Sequence, residues 1–218
     1  MCGRFSFSGD DIEERFHVEL PSKLTPRYNI APGQDSAVIV REQGRSALRS
    51  YRWGLIPSWA KESSIGYKMI NARAETLAEK PSFRKSVEQR RCLVLADGFY
   101  EWVKKGRVKL PMRFVLKTRE AFAFAGLWDT WKKPDGGELQ SFTIVTTGAN
   151  ALVKPIHERM PVILRKPDED QWLDPDTKDS AKVLPLLKPY AADEMEAYGV
   201  STLVNSAKND KPEGIVPI

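Results

Sequence analysis

The sequence predicts an α+β fold: a single domain over residues 1–218, built on a curled, barrel-like antiparallel sheet with short peripheral helices. Three observations carry this. Between residues 92 and 148, the runs CLVLADG, FYEWV, PMRFVLK, AFAFAGLW and QSFTIVTTG are β-branched or aromatic and separated by turn residues. Helical periodicity appears only in short, scattered stretches. No repeat, low-complexity segment or Gly/Ser-rich linker divides the 218 residues, a length that can bury a proper core.

Taken in order, Asp10–Val18 (DDIEERFHV) predicts a short helix with an acidic first turn and with Ile12 and Phe16 facing inward. His17 reads as a surface or satisfied core histidine. KLTPRYNIAPGQ is punctuated by proline and reads as a loop, and the strand-like SAVIVR and ALRSYRWGLI follow. Loop PSWAKESS leads to an extended piece, YKMIN. Ala72–Gln89 reads as two short helices broken at Pro81, because proline lacks the N–H that a helix interior needs. Beyond the strand-rich region come a short helix at Asn150–Lys154, the loop PIHERMP, helices around Asp168–Leu173 and Ser180–Leu187, and a last strand at Glu196–Leu203.

Apolar residues make up 41% and charged residues 29%, as in soluble globular chains rather than disordered or membrane ones. No apolar run approaches the ~18 residues of a membrane span. MCGRFSFSGDD has neither a signal pattern nor a glycine at position 2 for myristoylation, so an intracellular location is expected: cytoplasmic, and nucleoid-associated in a bacterium. The 34 Lys plus Arg against 29 Asp plus Glu leave a net charge of +5, which permits an anionic partner such as nucleic acid without proving one. Two cysteines and two histidines, none closely spaced, predict no metal site and no cofactor. Cys92 opens the apolar CLVLA and reads as an inert core thiol, and no structural disulfide is expected in a reducing compartment.

Cys2 carries the most chemistry. Initiator methionine is normally removed before a side chain as small as cysteine, which leaves an α-amine and a thiol on one residue. Their ordinary pKa values, near ~8 and ~8.5, give each a nucleophilic fraction at neutral pH. Such a 1,2-aminothiol captures an aldehyde as an imine and closes it to a thiazolidine. While Met1 remains attached the Cys2 nitrogen is an amide and cannot form the imine, so a Met1-bearing chain is expected to be inactive.

Other candidates are read with their plainer alternatives. Glu101 in FYEWV shares a strand face with Phe99 and Val103, where a carboxylate must be paired or hold its proton near neutrality; it could instead face water from an edge strand. His157, bracketed by Pro155 and Pro161, is a plausible acid or base, or a loop histidine capping the backbone. Asn71 and Arg73 in MINARAET suit a helix N-cap and a phosphate seat. Arg4 could assist deprotonation of Cys2 or clamp an anion, or be a surface charge. Aromatic and basic residues interleave (Tyr51, Arg52, Trp53, Trp59, Lys61, Tyr67, Lys68, then Trp102, Lys104, Lys105), which suits single-stranded nucleic acid, although most tryptophans serve the core.

MCGRF, RYNIAPGQ, RWGLIPSWAK, NARAET, CLVLADGFYEW, FAFAGLW, FTIVTT, IHERMPVIL and VNSAKND, in that order, resemble the SOS-response-associated peptidase (SRAP) family over nearly the whole chain. The resemblance implies a protein that crosslinks covalently to abasic sites in single-stranded DNA, near junctions with duplex. It implies Cys2 as nucleophile, Asn71, Glu101 and His157 as active-site residues, and Arg4 and Arg73 as phosphate contacts. Trp53, Trp102 and Arg159 complete the candidate DNA-binding set. The peptidase label fits removal of the residue before Cys2 by self-processing, though methionine aminopeptidase would suffice, and a lyase-like activity is also expected. Two rivals are an N-terminal-nucleophile amidohydrolase, which would turn over amides without a DNA adduct, and a non-catalytic single-strand binder, which would be indifferent to Cys2.

Overall fold

The computed structural model describes residues 2–9, 12–20 and 24–218. Its strands are β1 (Phe5–Phe7), β2 (Arg27–Ile30), β3 (Asp35–Glu42), β4 (Arg45–Trp53), β5 (Asn71–Arg73), β6 (Arg91–Ala96), β7 (Gly98–Lys105), β8 (Val108–Leu116), β9 (Phe122–Lys132), β10 (Glu138–Gly148), β11 (Arg159–Pro161) and β12 (Met195–Gly199). The helices are α1 (Ile12–Phe16), α2 (Pro81–Gln89), α3 (Lys166–Leu173) and α4 (Ser180–Val183).

Five strands close a ring, β10–β4–β3–β6–β9 and back to β10. All its pairings are antiparallel except β10 with β4, where Ser141 and Phe142 meet Arg52 and Trp53 in parallel. Closure removes the exposed strand edges that invite aggregation. The β3–β4 hairpin turns at Gln43 and Gly44, both at positive φ (49° and 76°), as a two-residue turn matched to strand twist requires. Against the ring lies a second, antiparallel sheet in the order β12–β8–β7–β1–β2. The fold class is therefore the α+β barrel-like arrangement that the strand runs predict.

The core between the two sheets is aromatic. Phe5 on β1 meets Trp53 and Phe124 edge-on at 5.0 and 5.8 Å, and Phe99 on β7 stacks on Phe114 at 5.0 Å. Phe124 touches Phe5, Phe99 and Phe122 and has no exposed surface. Phe124→Ala is expected to lower the unfolding free energy by about 3–5 kcal/mol, read as a lower urea midpoint with an unchanged slope.

The structure corrects several sequence expectations. RYNI is strand β2, not loop, because it pairs with β1, itself a strand that local pattern did not announce. YK ends a 3₁₀ turn (Ser63–Lys68), and only Asn71 begins the following strand. Pro81 opens α2 at its first turn, where its missing N–H costs nothing, and the earlier "helix" is one 3₁₀ turn at Ala74–Thr76. Asn150–Lys154 makes turns rather than a helix, with Asn150 Oδ1 accepting from the Leu152 and Val153 amides. RMP of the expected loop contributes β11, paired with β10. The last strand ends at Gly199, and Thr202–Asn205 turns as 3₁₀ helix. The expected helix start at Asp10 and Asp11, and the expectation about Met1, lie outside the described residues.

Candidate active site and nucleic-acid interface

Strand pairing delivers the N-terminus to the site. Phe5 faces Phe99 and Ser6 faces Gly98, and the Tyr100 amide donates to the Arg4 carbonyl at 3.0 Å. Continuing that register lays residues 2–4 beside Tyr100–Trp102. A buried polar network pins β1 there: Ser6 Oγ donates to Asp97 Oδ1 (2.6 Å), and the Arg113 guanidinium pairs with the same carboxylate at 2.7 Å.

Cys2 has no exposed surface. Its carbonyl accepts from Asn71 Nδ2 at 2.8 Å, and its thiol lies 3.6 Å from the Arg4 carbonyl. Burial, then the charge of Glu101, push the thiol up to about 12, and these outweigh the smaller opposing effect of Arg4. The expectation of an appreciable thiolate at neutral pH is thereby corrected. A thiol raised this far would need a neighbouring base to become a nucleophile.

Glu101 lies on β7 opposite Met112 and is 7% exposed. β7 runs between β1 and β8, so the edge-strand alternative falls away. Burial raises the Glu101 carboxyl above the ordinary range, while His157 nearby acts to lower it. His157 Nδ1 lies 2.9 Å from the Arg159 amide nitrogen and 3.2 Å from the Arg159 carbonyl oxygen, which anchors the ring to the backbone of β11. Glu101 and His157 line one cavity of about 790 Å³ together with Arg4, Trp102, Lys104 and Asn205.

Asn71 is not an N-cap. It sits in β5, paired with Ile144, and its amide reaches back to Cys2 across 69 residues. Its Oδ1 is buried and takes no hydrogen bond from any described residue. Arg73, exposed at the end of β5, precedes the 3₁₀ turn without a side-chain cap bond.

The family model for SOS response associated peptidase (SRAP) matches residues 1–207. The chain belongs to the SRAP family. It is 51% identical to the abasic site processing protein YoqW of Bacillus subtilis, over 98% of each chain. It is 34% identical to the abasic site processing protein HMCES of Gallus gallus, over 90% of this chain and 67% of that one. A crystal structure of a protein from Bacteroides thetaiotaomicron superposes with a TM-score of 0.89 at 30% identity, over the full length of both chains.

In this SRAP chain the candidate DNA contacts divide. Trp53 is a core side chain, 1% exposed, with Nε1 donating to the Ile70 carbonyl, so it has no face to offer a base. Arg159 spends its guanidinium on Glu75, which it grips through both oxygens at 2.6 and 2.9 Å, and on the Thr146 carbonyl. Trp53 is thereby corrected to a core role, while Arg159 remains a candidate contact already engaged within the protein. Arg4 is half-buried over the Trp102 ring and donates to Asn29 Oδ1 (2.8 Å) and the Val204 carbonyl (2.7 Å). Trp102 donates from Nε1 to Asn205 Oδ1 at 2.6 Å.

Sequence reasoning missed the residues that hold this wall of the SRAP cavity. Asn29, fully buried, donates to the carbonyls of Val204, Ser206 and Asn209, and Asp210 accepts from the Tyr28 and Asn29 amides while pairing with Arg27. The blocks RYNIAPGQ and VNSAKND contain both partners, but 181 residues separate Asn29 from Asp210 and no local pattern joins them. No described helix is long and apolar enough to cross a membrane. Among the described residues no group of three or more His, Cys, Asp or Glu side chains could hold a metal ion.

Proposed function

We propose that this protein processes abasic sites in DNA by covalent capture, with Cys2 as the trap. The names of the relatives, abasic site processing proteins, support the substrate. The observation that carries the chemistry is the meeting of Cys2, tethered through its carbonyl to Asn71, with the buried carboxyl of Glu101.

With Met1 removed, the Cys2 amine attacks the C1′ aldehyde of the ring-opened deoxyribose. A C–N bond forms, the carbonyl oxygen departs as water, and an imine results. Sγ then adds to the imine carbon while the nitrogen takes a proton, which closes the thiazolidine with net loss of one water. Protonated His157 gives a proton to the departing oxygen and regains one from the amine nitrogen as the imine forms, and Glu101 accepts the thiol proton and returns it to the ring nitrogen. The substrate we propose is single-stranded DNA near a duplex junction, as the resemblance to the SRAP family implies. Arg73 and the cavity face of Arg4 meet the flanking phosphates.

One gel tests the reading. Mature protein incubated with single-stranded DNA carrying an abasic site is expected to give a band that survives heat and denaturant, and the same DNA without the lesion none. Amide turnover in the absence of any DNA adduct would replace this reading with an N-terminal-nucleophile hydrolase.

A further inference from the structure

The hairpin that joins β7 to β8 has an unbalanced charge. From Trp102 to Arg119 the sequence holds no Asp or Glu, and Lys104, Lys105, Arg107 and Lys109 stand exposed around the turn. Among the described residues none of these four is ion-paired.

Two of them are placed against each other. Lys104 and Lys109 are direct cross-strand partners, an arrangement that costs stability when both side chains carry the same charge. Alternation along β7 puts Lys104 on the face of Trp102, and the register puts Lys109 beside it. Both lysines line the cavity that holds Glu101 and His157. A repulsive pair kept without a counter-ion, beside an indole and continuous with the reacting groups, matches a polyanion that arrives with the substrate.

We propose that Lys104 and Lys109 form a phosphate-binding ledge at the solvent end of this cavity, taking adjacent backbone phosphates of the strand that flanks the captured nucleotide. The ledge rests on the proposed function above, and it adds contacts that lie on the opposite sheet from Arg73. DNA therefore runs across both sheets, with the lesion between two cationic anchors.

The test uses an oligonucleotide with a tetrahydrofuran lesion, which lacks the aldehyde and binds reversibly. Affinity is measured from about 50 to about 300 mM salt for the wild type, for K104Q/K109Q, and for K178Q/K182Q, which removes the same charge from exposed residues outside the cavity. Each lost phosphate contact lowers the slope of log affinity against log salt by roughly 0.7, so K104Q/K109Q is expected to lose about 1.4 and the control nothing. Uncharged methylphosphonates placed singly along the strand should weaken wild-type binding at the contacted phosphates and leave K104Q/K109Q unaffected at those positions. An unchanged slope in K104Q/K109Q, or an equal fall in the control, overturns the ledge. Crosslinking of an aldehyde-bearing strand by the wild type, run in parallel, separates the two readings. If it succeeds while the slope is unchanged, only the ledge falls; if it fails, the covalent capture beneath it falls as well.

Discussion

Cys2→Ala is expected to abolish the heat-stable crosslink altogether, the largest effect of any single substitution. Ring closure needs nitrogen and sulfur on the same residue, and Cys92, the other thiol, is buried in the barrel wall with its pKa pushed above the usual thiol range. The alanine variant keeps an α-amine, so its Schiff base should still be trapped by borohydride, whereas Cys2→Ser should give at most a weaker, reversible adduct. Since Cys2 is wholly buried, a thermal melt of each variant establishes that the fold survives. A chain that retains Met1 offers an amide in place of the amine and should behave as an inactive control. Full yield of heat-stable product from Cys2→Ala, or equal yield from the Met1-bearing chain, would show that the nucleophile lies elsewhere.

Glu101→Gln should slow crosslinking by ~100 to ~10,000-fold while leaving DNA affinity nearly unchanged, because its part is proton transfer. The pH profile gives the sharper readout. A thiol raised to about 12 must give up its proton to a base, and the base must be ionised to take it. Burial raises the Glu101 carboxyl, so the ionised fraction, and with it the rate, climbs with pH through a limb lying above the ordinary glutamate value of ~4.3. In the glutamine variant that limb should vanish. Single-turnover rates between about pH 5 and about pH 9 decide it, and wild-type rates across that range would remove Glu101 from the mechanism.

Residues whose role depends on their own chemistry were legible in the chain. A cysteine at position 2 defines an aminothiol wherever it folds, alternation in FYEWV put Glu101 on the apolar face of its strand, and two prolines framed His157. The strand runs from 92 to 148 likewise marked the sheet, because period-two patterning is a local property. Residues whose role depends on a distant partner were not legible. Trp53 and Trp102 are both tryptophans beside basic residues, and only packing sends one into the core against Phe5 and Phe142 and leaves the other at the cavity. Arg159 sits next to the histidine loop, yet Glu75 claims it.

By itself the sequence determined the strand-rich α+β class and the family pattern of motifs, and it singled out Cys2 as the candidate nucleophile, since each is written in residue identity or short-range periodicity. Tertiary structure alone decided that β1 is a strand, that Asn71 holds Cys2 instead of capping a helix, and that Asn29 and Asp210 lock the last segment over the site. It also decided that the Cys2 thiol is held in its neutral form. These follow from burial and from hydrogen bonds between groups up to 181 residues apart, and the energy of a buried polar group is set by the partner that folding brings to it.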